Sequence, residues 1–256
     1  MFKHAIVRKP AENFAAGLTT ATLGKPDYPK ALAQHEAYCQ ALVRCGLALT
    51  RLDPDPLFPD STFVEDTAVL TAGGAILTRP GAPSREGEVR SMRASLAEFF
   101  PSSQAIVAPG TLDGGDICET KGTTFIGISE RTNPEGAEQL AGLLALQGLR
   151  SVFVDIRGVG GILHLKSGLA YLGEGRIAAI PALSDREAFR DYEVVVVPPG
   201  EEYAANCLRV NEHLLMASGF PETEGALAHL GYSLLRLDMS EFRKMDGGLS
   251  CLSLRF

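Results

Sequence analysis

The stretch ALVRCGLALTRLD at residues 41–53 recurs near the other end of the chain as ALAHLGYSLLRLD at residues 226–238, with seven of the 13 positions identical. A fainter third copy centres on Gly148, with Leu144 four residues before it and Asp155 seven residues after it. In each copy an apolar run leads into a glycine and then into a second apolar run. Glycine suits the left-handed position that ends a helix. The pattern predicts a repeated unit of helix, glycine stop and strand.

Amphipathic helices and paired strands surround these units. A helix is predicted from Tyr28 to Cys45, and a related helix follows Arg85, because apolar residues recur there at spacings of three and four. Strand-like runs come in pairs separated by glycine-bearing turns, namely 66–70 with 75–78 and 116–118 with 124–128. The same order of strand, turn, strand, helix and strand can be followed through residues 164–197 and 206–238.

Four modules of this kind fill the middle of the chain, and the two ends supply the parts of a fifth. Residues 2–53 contain a strand, a helix and a strand, whereas residues 247–256 contain only an opening strand. We therefore predict an α/β fold, a five-bladed propeller of ββαβ modules around a central channel, as one domain over residues 1–256. Joining both termini in one module removes the open sheet edges. A doubly wound parallel sheet is the alternative, and the hairpins count against it.

Composition limits the class of protein. The chain has 256 residues, of which 45% are hydrophobic and 21% charged, as in an ordinary globular protein. A net charge of −7 argues against a nucleic-acid partner and suits a cationic small molecule. No apolar run is long enough for a membrane span, and the short, charged start does not resemble a secretory signal. The five cysteines form no zinc or disulfide pattern, so we expect reduced thiols and a cytoplasmic location.

A thiol, an imidazole and several polar groups recur where the modules would meet. Asp66, Asp116, His164, Asn206 and Cys251 lie 50, 48, 42 and 45 residues apart, and the first strand of each module would bring them near the axis of a ring. A lone buried cysteine is usually a packing residue. A thiol beside an imidazole, however, is the nucleophile and base pair of covalent catalysis. Buried carboxylates are costly unless paired, and a cationic ligand would supply the partner.

Seven short segments and Leu18 carry a more specific resemblance. The chain resembles the dimethylarginine dimethylaminohydrolases of the guanidino-modifying (pentein) superfamily, and the likeness runs from Met1 to Phe256. The segments are Leu18 with LGKPDY at 23–28, FPDSTFVED at 58–66, LDGGD at 112–116, RTN at 131–133, LHLK at 163–166, AANC at 204–207 and DGGLSC at 246–251.

The resemblance implies a role for each of the matching residues. Cys251 would be the nucleophile, His164 the general acid and base, and Asp113 their acidic partner, with a shorter side chain than the glutamate of some family members. Substrate contacts are implied for eight further residues. Glu65 and Asp66 would hold the guanidinium, Leu18 and Asp60 the α-amino group, Arg85 and Arg131 the α-carboxylate, while Phe63 and Met245 would form the pocket wall.

The implied reaction is the hydrolysis of Nω-methylated or Nω,Nω-dimethylated L-arginine to L-citrulline and an amine. The thiolate of Cys251 would attack the guanidinium carbon and form a thiouronium intermediate, and no metal or organic cofactor is required. The small residues Gly17 to Thr22 would close over the substrate as a lid.

Other readings remain open at this point. An arginine deiminase or an amidinotransferase would share the ring and the nucleophile, and a non-catalytic binding module of the same fold is a third possibility. The glycines at 158, 160 and 161 do not have the spacing of a dinucleotide-binding loop. We expect a monomer or a homodimer that binds a small molecule and neither nucleic acid nor membrane.

Overall fold

The computed structural model describes residues 1–256 and contains fifteen strands, six α-helices and eight 3₁₀ helices. The strands are β1 His4–Arg8, β2 Ala48–Leu52, β3 Ala68–Thr71, β4 Gly74–Leu77, β5 Ser103–Ala105, β6 Ile117–Glu119, β7 Thr124–Ile128, β8 Ser151–Asp155, β9 Leu169–Gly173, β10 Arg176–Ala179, β11 Glu193–Val196, β12 Leu208–Val210, β13 His213–Ala217, β14 Ser233–Leu237 and β15 Leu254–Arg255. The helices are α1 Tyr28–Arg44, α2 Glu88–Leu96, α3 Pro134–Leu146, α4 Pro181–Ser184, α5 Pro221–His229 and α6 Ser240–Arg243.

The strands form five three-stranded sheets of one design. In each sheet the central strand pairs with one neighbour antiparallel and with the other parallel, and an α-helix lies in the connection to the parallel strand. Four sheets use consecutive strands, namely β3–β4–β5, β6–β7–β8, β9–β10–β11 and β12–β13–β14. The fifth, β15–β1–β2, combines both ends of the chain, with Ala5 opposite Arg255 and His4 opposite Ala48. The architecture is thus mixed α/β, with a repeated sheet.

Local signals set the ends of the longer helices. The carboxylate of Asp27 accepts a hydrogen bond from the backbone N–H of Lys30 at 2.7 Å and so caps α1. The helix-stop glycines Gly46, Gly148 and Gly231 have φ of 91°, 73° and 85°, as the repeated stretch predicts. One side of α1 packs into the largest apolar cluster, which has 44 buried residues. Val43, however, which the pattern places on the apolar face of α1, is 54% exposed.

The polar residues expected on the first strands lie instead in, or directly beside, short 3₁₀ helices that precede those strands. These segments, here called the site turns, are Val64–Thr67, Gly114–Asp116, Leu165–Ser167, Glu202–Ala205 and Ser250–Leu252. The prediction that strands begin at Asp66 and Asp116 is therefore wrong by one to two residues. In a paired strand the backbone N–H groups are already hydrogen-bonded to the neighbouring strand. In a turn some of them stay free, so they can donate to a buried polar side chain of the neighbouring module.

The site turns contact one another in a closed cycle that follows chain order. At three of the junctions a side-chain oxygen accepts a backbone N–H from the next module. The pairs are Asp66 with Gly115 at 2.8 Å, Asp116 with Leu165 at 2.9 Å, and Asn206 with Ser250 at 3.1 Å. The five sheets are therefore held in a cycle by hydrogen bonds between their site turns. None of the helices is both long and apolar enough to cross a bilayer.

Asp116 provides a test of these junctions. Its carboxylate is fully buried and accepts hydrogen bonds from Ser129 Oγ and Thr132 Oγ1, both at 2.6 Å, and from Leu165 N. Asp116→Ala leaves three buried donors unpaired, so we expect the free energy of unfolding in urea to fall by about 3 kcal/mol or more. Asp155→Ala, which removes an exposed ion pair with Arg157, should cost at most about 1 kcal/mol. Equal losses in both variants would contradict this role for Asp116.

Candidate active site

A small cleft gathers most of the residues that the sequence singles out. It is lined by Leu18, Asp60, Phe63, Asp66, Arg85, Arg131, Leu163, His164, Met245, Asp246, Gly247 and Cys251. Every predicted site residue is among them except Asp113, which lies behind His164, and Glu65. The structure thus brings together a thiol, an imidazole, two arginines and several carboxylates from distant parts of the sequence.

The nucleophile candidate sits on a tightly packed turn. Cys251 is partly exposed and lies in the site turn Ser250–Leu252, where its Sγ is 3.4 Å from the backbone N–H of Gly248. A side chain at Gly247 would overlap the Phe63 ring, and one at Gly248 would overlap the amide of Asn206. Only glycine at these two positions lets the segment approach its neighbours so closely.

The free thiol is protonated at neutral pH. Burial raises the pKa of Cys251, and the charges of Glu65 and Asp66 raise it further, to about 12, against the opposing effect of the Gly248 N–H. A further positive charge must therefore come close to Sγ before the thiolate can form at neutral pH.

The imidazole of His164 has the opposite bias. Burial would lower its pKa, but the charge of Asp66 and the hydrogen bond that the ring donates to Asp113 outweigh burial and raise the pKa to about 9. Asp113 Oδ2 lies 3.0 Å from His164 Nε2, and the backbone N–H of Gly81 holds the other carboxylate oxygen at 2.8 Å. The shorter aspartate side chain thus reaches the ring. His164 is an imidazolium at neutral pH and can donate a proton.

Asp66 and Arg85 form a buried ion pair beside these groups. Arg85 Nη1 donates to Asp66 Oδ2 at 2.6 Å, and its Nε and Nη2 donate to the carboxylate of Glu88 at 3.0 and 2.8 Å. Nη2 also donates to the carbonyl oxygen of Phe63 at 3.1 Å. Of the five guanidinium N–H groups, one on Nη1 is left for a ligand. Burial would raise the pKa of Asp66, but His164 and Arg85 bring it down to about 2.

The other arginine is much less constrained. The nearest acidic atom to Arg131 is Asp113 Oδ2, 3.8 Å from Nη1, and the Arg131 side chain makes no hydrogen bond within the protein. Its donors are free to meet a carboxylate that enters the cleft. At the same end, both oxygens of Asp60 accept the backbone N–H of Leu18 at 3.1 Å.

The segment after Leu18 closes the cleft. Asp246 accepts hydrogen bonds from the backbone N–H and the hydroxyl of Thr20, at 2.5 and 2.9 Å, and Thr19 Oγ1 donates to the carbonyl oxygen of Lys244 at 2.9 Å. With these contacts made, the cleft has about 20 Å³ of free volume, enough for about one water. An amino acid needs more room than this, so the cleft must widen before such a ligand can enter. Asp246 is the first residue of the DGGLSC segment, but no local pattern predicts that Thr20 is its partner.

The structure does not bring Glu65 into the cleft. Its carboxylate accepts a hydrogen bond from Ser250 Oγ at 2.7 Å and pairs with Lys166 at 2.7 Å and Arg255 at 3.2 Å. These groups line a separate and larger cavity of about 380 Å³. That cavity contains neither His164 nor Cys251, so its size does not make it the reactive site. Glu65 affects Cys251 from outside the cleft. Its charge raises the pKa of the thiol, and its carboxylate holds the hydroxyl of the preceding residue, Ser250.

Three residues of the site have the donor types of a metal centre. Asp66, Asp113 and His164 could each offer a ligand atom, all within 4.8 Å of one another. Hydrogen bonds from Gly115 N and Arg85 to Asp66, and from Gly81 N to Asp113, already occupy lone pairs of these carboxylates. A cation would have to displace the imidazolium proton to bind there.

Comparisons with known proteins agree with this geometry. The arginine deiminase family model matches residues 32–187. The N(G),N(G)-dimethylarginine dimethylaminohydrolase of Pseudomonas aeruginosa is 47% identical over the full length of both chains, and that of Streptomyces coelicolor is 37% identical over 99% of this chain and 96% of its own.

Solved structures of dimethylarginine dimethylaminohydrolases, one of them from Pseudomonas aeruginosa, superpose closely. A cysteine-to-serine variant in complex with citrulline matches with a TM-score of 0.97 at 46% identity, and a histidine-to-glycine variant of a dimethylarginine dimethylaminohydrolase, as an adduct with S-methyl-L-thiocitrulline, matches with 0.96. Both matches cover all of each chain. The N-terminal domain of the cyanobacterial arginine dihydrolase ArgZ, 17% identical with a TM-score of 0.87, shares the fold. This chain belongs to the dimethylarginine dimethylaminohydrolase family.

Proposed function

We propose that the protein hydrolyses Nω-methylated L-arginines to L-citrulline and methylamine or dimethylamine, with Cys251 as the nucleophile. One observation carries the proposal. A neutral thiol, an imidazolium and buried acids share a cleft in which a second cation beside Sγ would favour the thiolate. A guanidinium is such a cation, and its carbon is the electrophile. The full-length identity to curated dimethylarginine dimethylaminohydrolases supports the same substrate class.

The charges of the cleft suggest how the amino acid lies in it. Asp66 faces the guanidinium next to Cys251, while Asp60 and the carbonyl of Leu18 receive the α-amino group. The α-carboxylate meets the free donors of Arg131 and the one unpaired N–H of Arg85. Arginine matches a carboxylate in shape as well as in charge. Phe63 and Met245 pack against the methylene chain of the substrate.

The first half of the reaction begins with the charge that the substrate brings. A guanidinium near Sγ lowers the thiol pKa, so the thiol loses its proton to solvent and the thiolate forms. The thiolate bonds to the guanidinium carbon, and the imidazolium of His164 gives its proton to the departing nitrogen as the C–N bond breaks. The products of this half are a free amine, a neutral imidazole and a thiouronium cation on Cys251.

The second half regenerates the protein. Neutral His164 takes a proton from a water molecule while the water oxygen bonds to the thiouronium carbon. The C–S bond then breaks and the sulfur leaves as thiolate. It takes up the proton that the hydroxyl group of the intermediate loses, which restores the thiol and releases L-citrulline. Asp113 orients the ring for both proton transfers and stabilises its charged form. These steps need only groups of this chain and water.

We also infer that the five sheets are the blades of an α/β propeller around a central channel, in one domain over residues 1–256. The closed cycle of site turns supports this, as does the sheet made from both chain ends. The two cavities would then be the two mouths of the channel, separated by the ion pairs of Glu65.

Substrate choice tests the proposed function directly. The purified protein should release L-citrulline and dimethylamine in equal amounts from Nω,Nω-dimethyl-L-arginine, and Cys251→Ser should abolish release. Cys45→Ala, at a buried cysteine outside the cleft, should retain activity. If L-arginine is used with a higher kcat/KM and yields ammonia, the protein is a deiminase instead. Full activity in Cys251→Ser would exclude the covalent mechanism.

The two arginines should give different results when removed. Arg131→Ala should lower kcat/KM by roughly tenfold to a hundredfold through lost carboxylate contacts, with little change in stability. Arg85→Ala should lower kcat/KM and also lower the free energy of unfolding by about 3–5 kcal/mol, because Asp66 and Glu88 remain buried without their cation. Arg157→Ala, at an exposed pair, is the control.

Kinetics and urea unfolding of the three variants decide the assignment. A stable and poorly active Arg85→Ala, together with a fully active Arg131→Ala, would reverse the roles given to these two residues.

A further inference from the structure

The side-chain amide of Asn206 joins two catalytic segments. Asn206 follows the site turn Glu202–Ala205 and is buried. Its Nδ2 donates to the carbonyl oxygen of Lys166 at 2.7 Å and to Ser250 Oγ at 3.1 Å. Its Oδ1 accepts the backbone N–H of Ser250 at 3.1 Å. Both ends of the amide are therefore used.

The partners of this amide are the immediate neighbours of the reacting groups. Lys166 is two residues after His164 in the chain, and Ser250 directly precedes Cys251. Asn206 is the one side chain that hydrogen-bonds to the main chain of both segments. It thus spans the gap between the residue that forms the covalent bond and the residue that moves protons.

The chemistry of an amide fits this place. An amide donates and accepts at once, so it can bind a carbonyl on one side and an N–H on the other. The carboxylates of Asp66 and Asp116 accept hydrogen bonds at the corresponding junctions, but they could not donate to Lys166 O. A carboxylate here would also add negative charge near a thiol whose pKa the acids already raise. Gly248 leaves the space that the amide needs.

We propose that Asn206 is a positioning residue that sets the distance between the His164 imidazolium and the carbon bound to Cys251. The inference rests on the proposed covalent mechanism. Loss of the Asn206 amide should slow proton transfer to the departing amine, because that step needs His164 within hydrogen-bonding distance of the leaving nitrogen on the Cys251 adduct. A misplacement of about 1 Å at such a step costs about a hundredfold in rate.

The leaving group separates this role from a purely structural one. Dimethylamine must be protonated to leave, whereas the methanethiolate of S-methyl-L-thiocitrulline can leave without a proton. The experiment measures single-turnover release of each leaving group by wild type, Asn206→Ala and Asn206→Ser. The rate for dimethylarginine, relative to that for S-methyl-L-thiocitrulline, should fall roughly tenfold to a hundredfold in Asn206→Ala. Asn206→Ser, whose hydroxyl can keep one contact, should show a smaller fall.

Asn211→Ala is the matched control. Asn211 makes three hydrogen bonds of the same kind, to Phe2 N at 2.8 Å, Phe2 O at 3.0 Å and Cys45 O at 2.9 Å, and it also bridges two modules, but away from the cleft. This variant should lose thermal stability and keep the wild-type ratio of rates. If Asn206→Ala does not fold, Asn206→Ser decides the result in the same way.

Two outcomes would overturn the inference. Rates that fall by the same factor for both compounds would show that Asn206 only stabilises the fold, and unchanged rates would show that it positions nothing. Failure of the proposed function is distinct, because it would appear in the wild-type protein as no release of dimethylamine. The ratio would then be measured with whichever guanidine the wild type hydrolyses.

Discussion

The polar side chains that join the five site turns are buried, and they must find their hydrogen-bond partners in one another. Backbone N–H groups and carboxylates left unpaired in such a place would cost several kcal/mol. Each junction of the cycle meets this demand with a contact to the next module, from Asp66 and Gly115 round to Ser250 and Glu65. The same contacts place His164 and Cys251, so the requirement that closes the fold also builds the site.

The charges of these junction groups set the resting state of the chemistry. Asp66 and Asp113 favour the protonated ring of His164, and Asp66 with Glu65 disfavours the thiolate of Cys251. The same acidic groups therefore keep His164 protonated as the proton donor and keep Cys251 in its unreactive thiol form. A cationic substrate opposes the second effect, while the hydrogen bond from His164 Nε2 to Asp113 continues to favour the protonated ring. Recognition of the guanidinium and activation of the thiol are then one electrostatic event, which protects the free thiol from unwanted reactions.

Much of the fold could be predicted from the sequence because its signals are local. The glycine stops, the strand–turn–strand pattern and the repeat itself predict five similar sheets, and the last half-module predicts that the two ends pair. The placement of polar residues on strands was wrong, because their partners are backbone groups of other modules. The hydrogen bonds between modules show that Lys166, and not His164, corresponds to Asp116 in the next module. His164 therefore lies two residues before the corresponding position.

Within the site, the family motifs identified most of the cleft residues, and geometry added what motifs do not contain. The partners of Glu65 include Arg255, 190 residues away, which explains why its carboxylate faces the larger cavity. The contacts of Asn206 and Asp246 also join distant segments. Such pairings depend on the closed cycle of modules, and no local pattern predicts them.

In the free protein, the neutral thiol of Cys251 shares the cleft with the imidazolium of His164. Ultraviolet absorbance of the thiolate, recorded against pH as the difference between wild type and Cys251→Ser, measures this state directly. We expect no thiolate signal from Cys251 at neutral pH in the free protein. When a guanidinium ligand that is not turned over is bound, the signal should appear at a lower pH than in the free protein. A full thiolate signal at neutral pH in the free protein would contradict it, since Cys251 and His164 would then already be an ion pair.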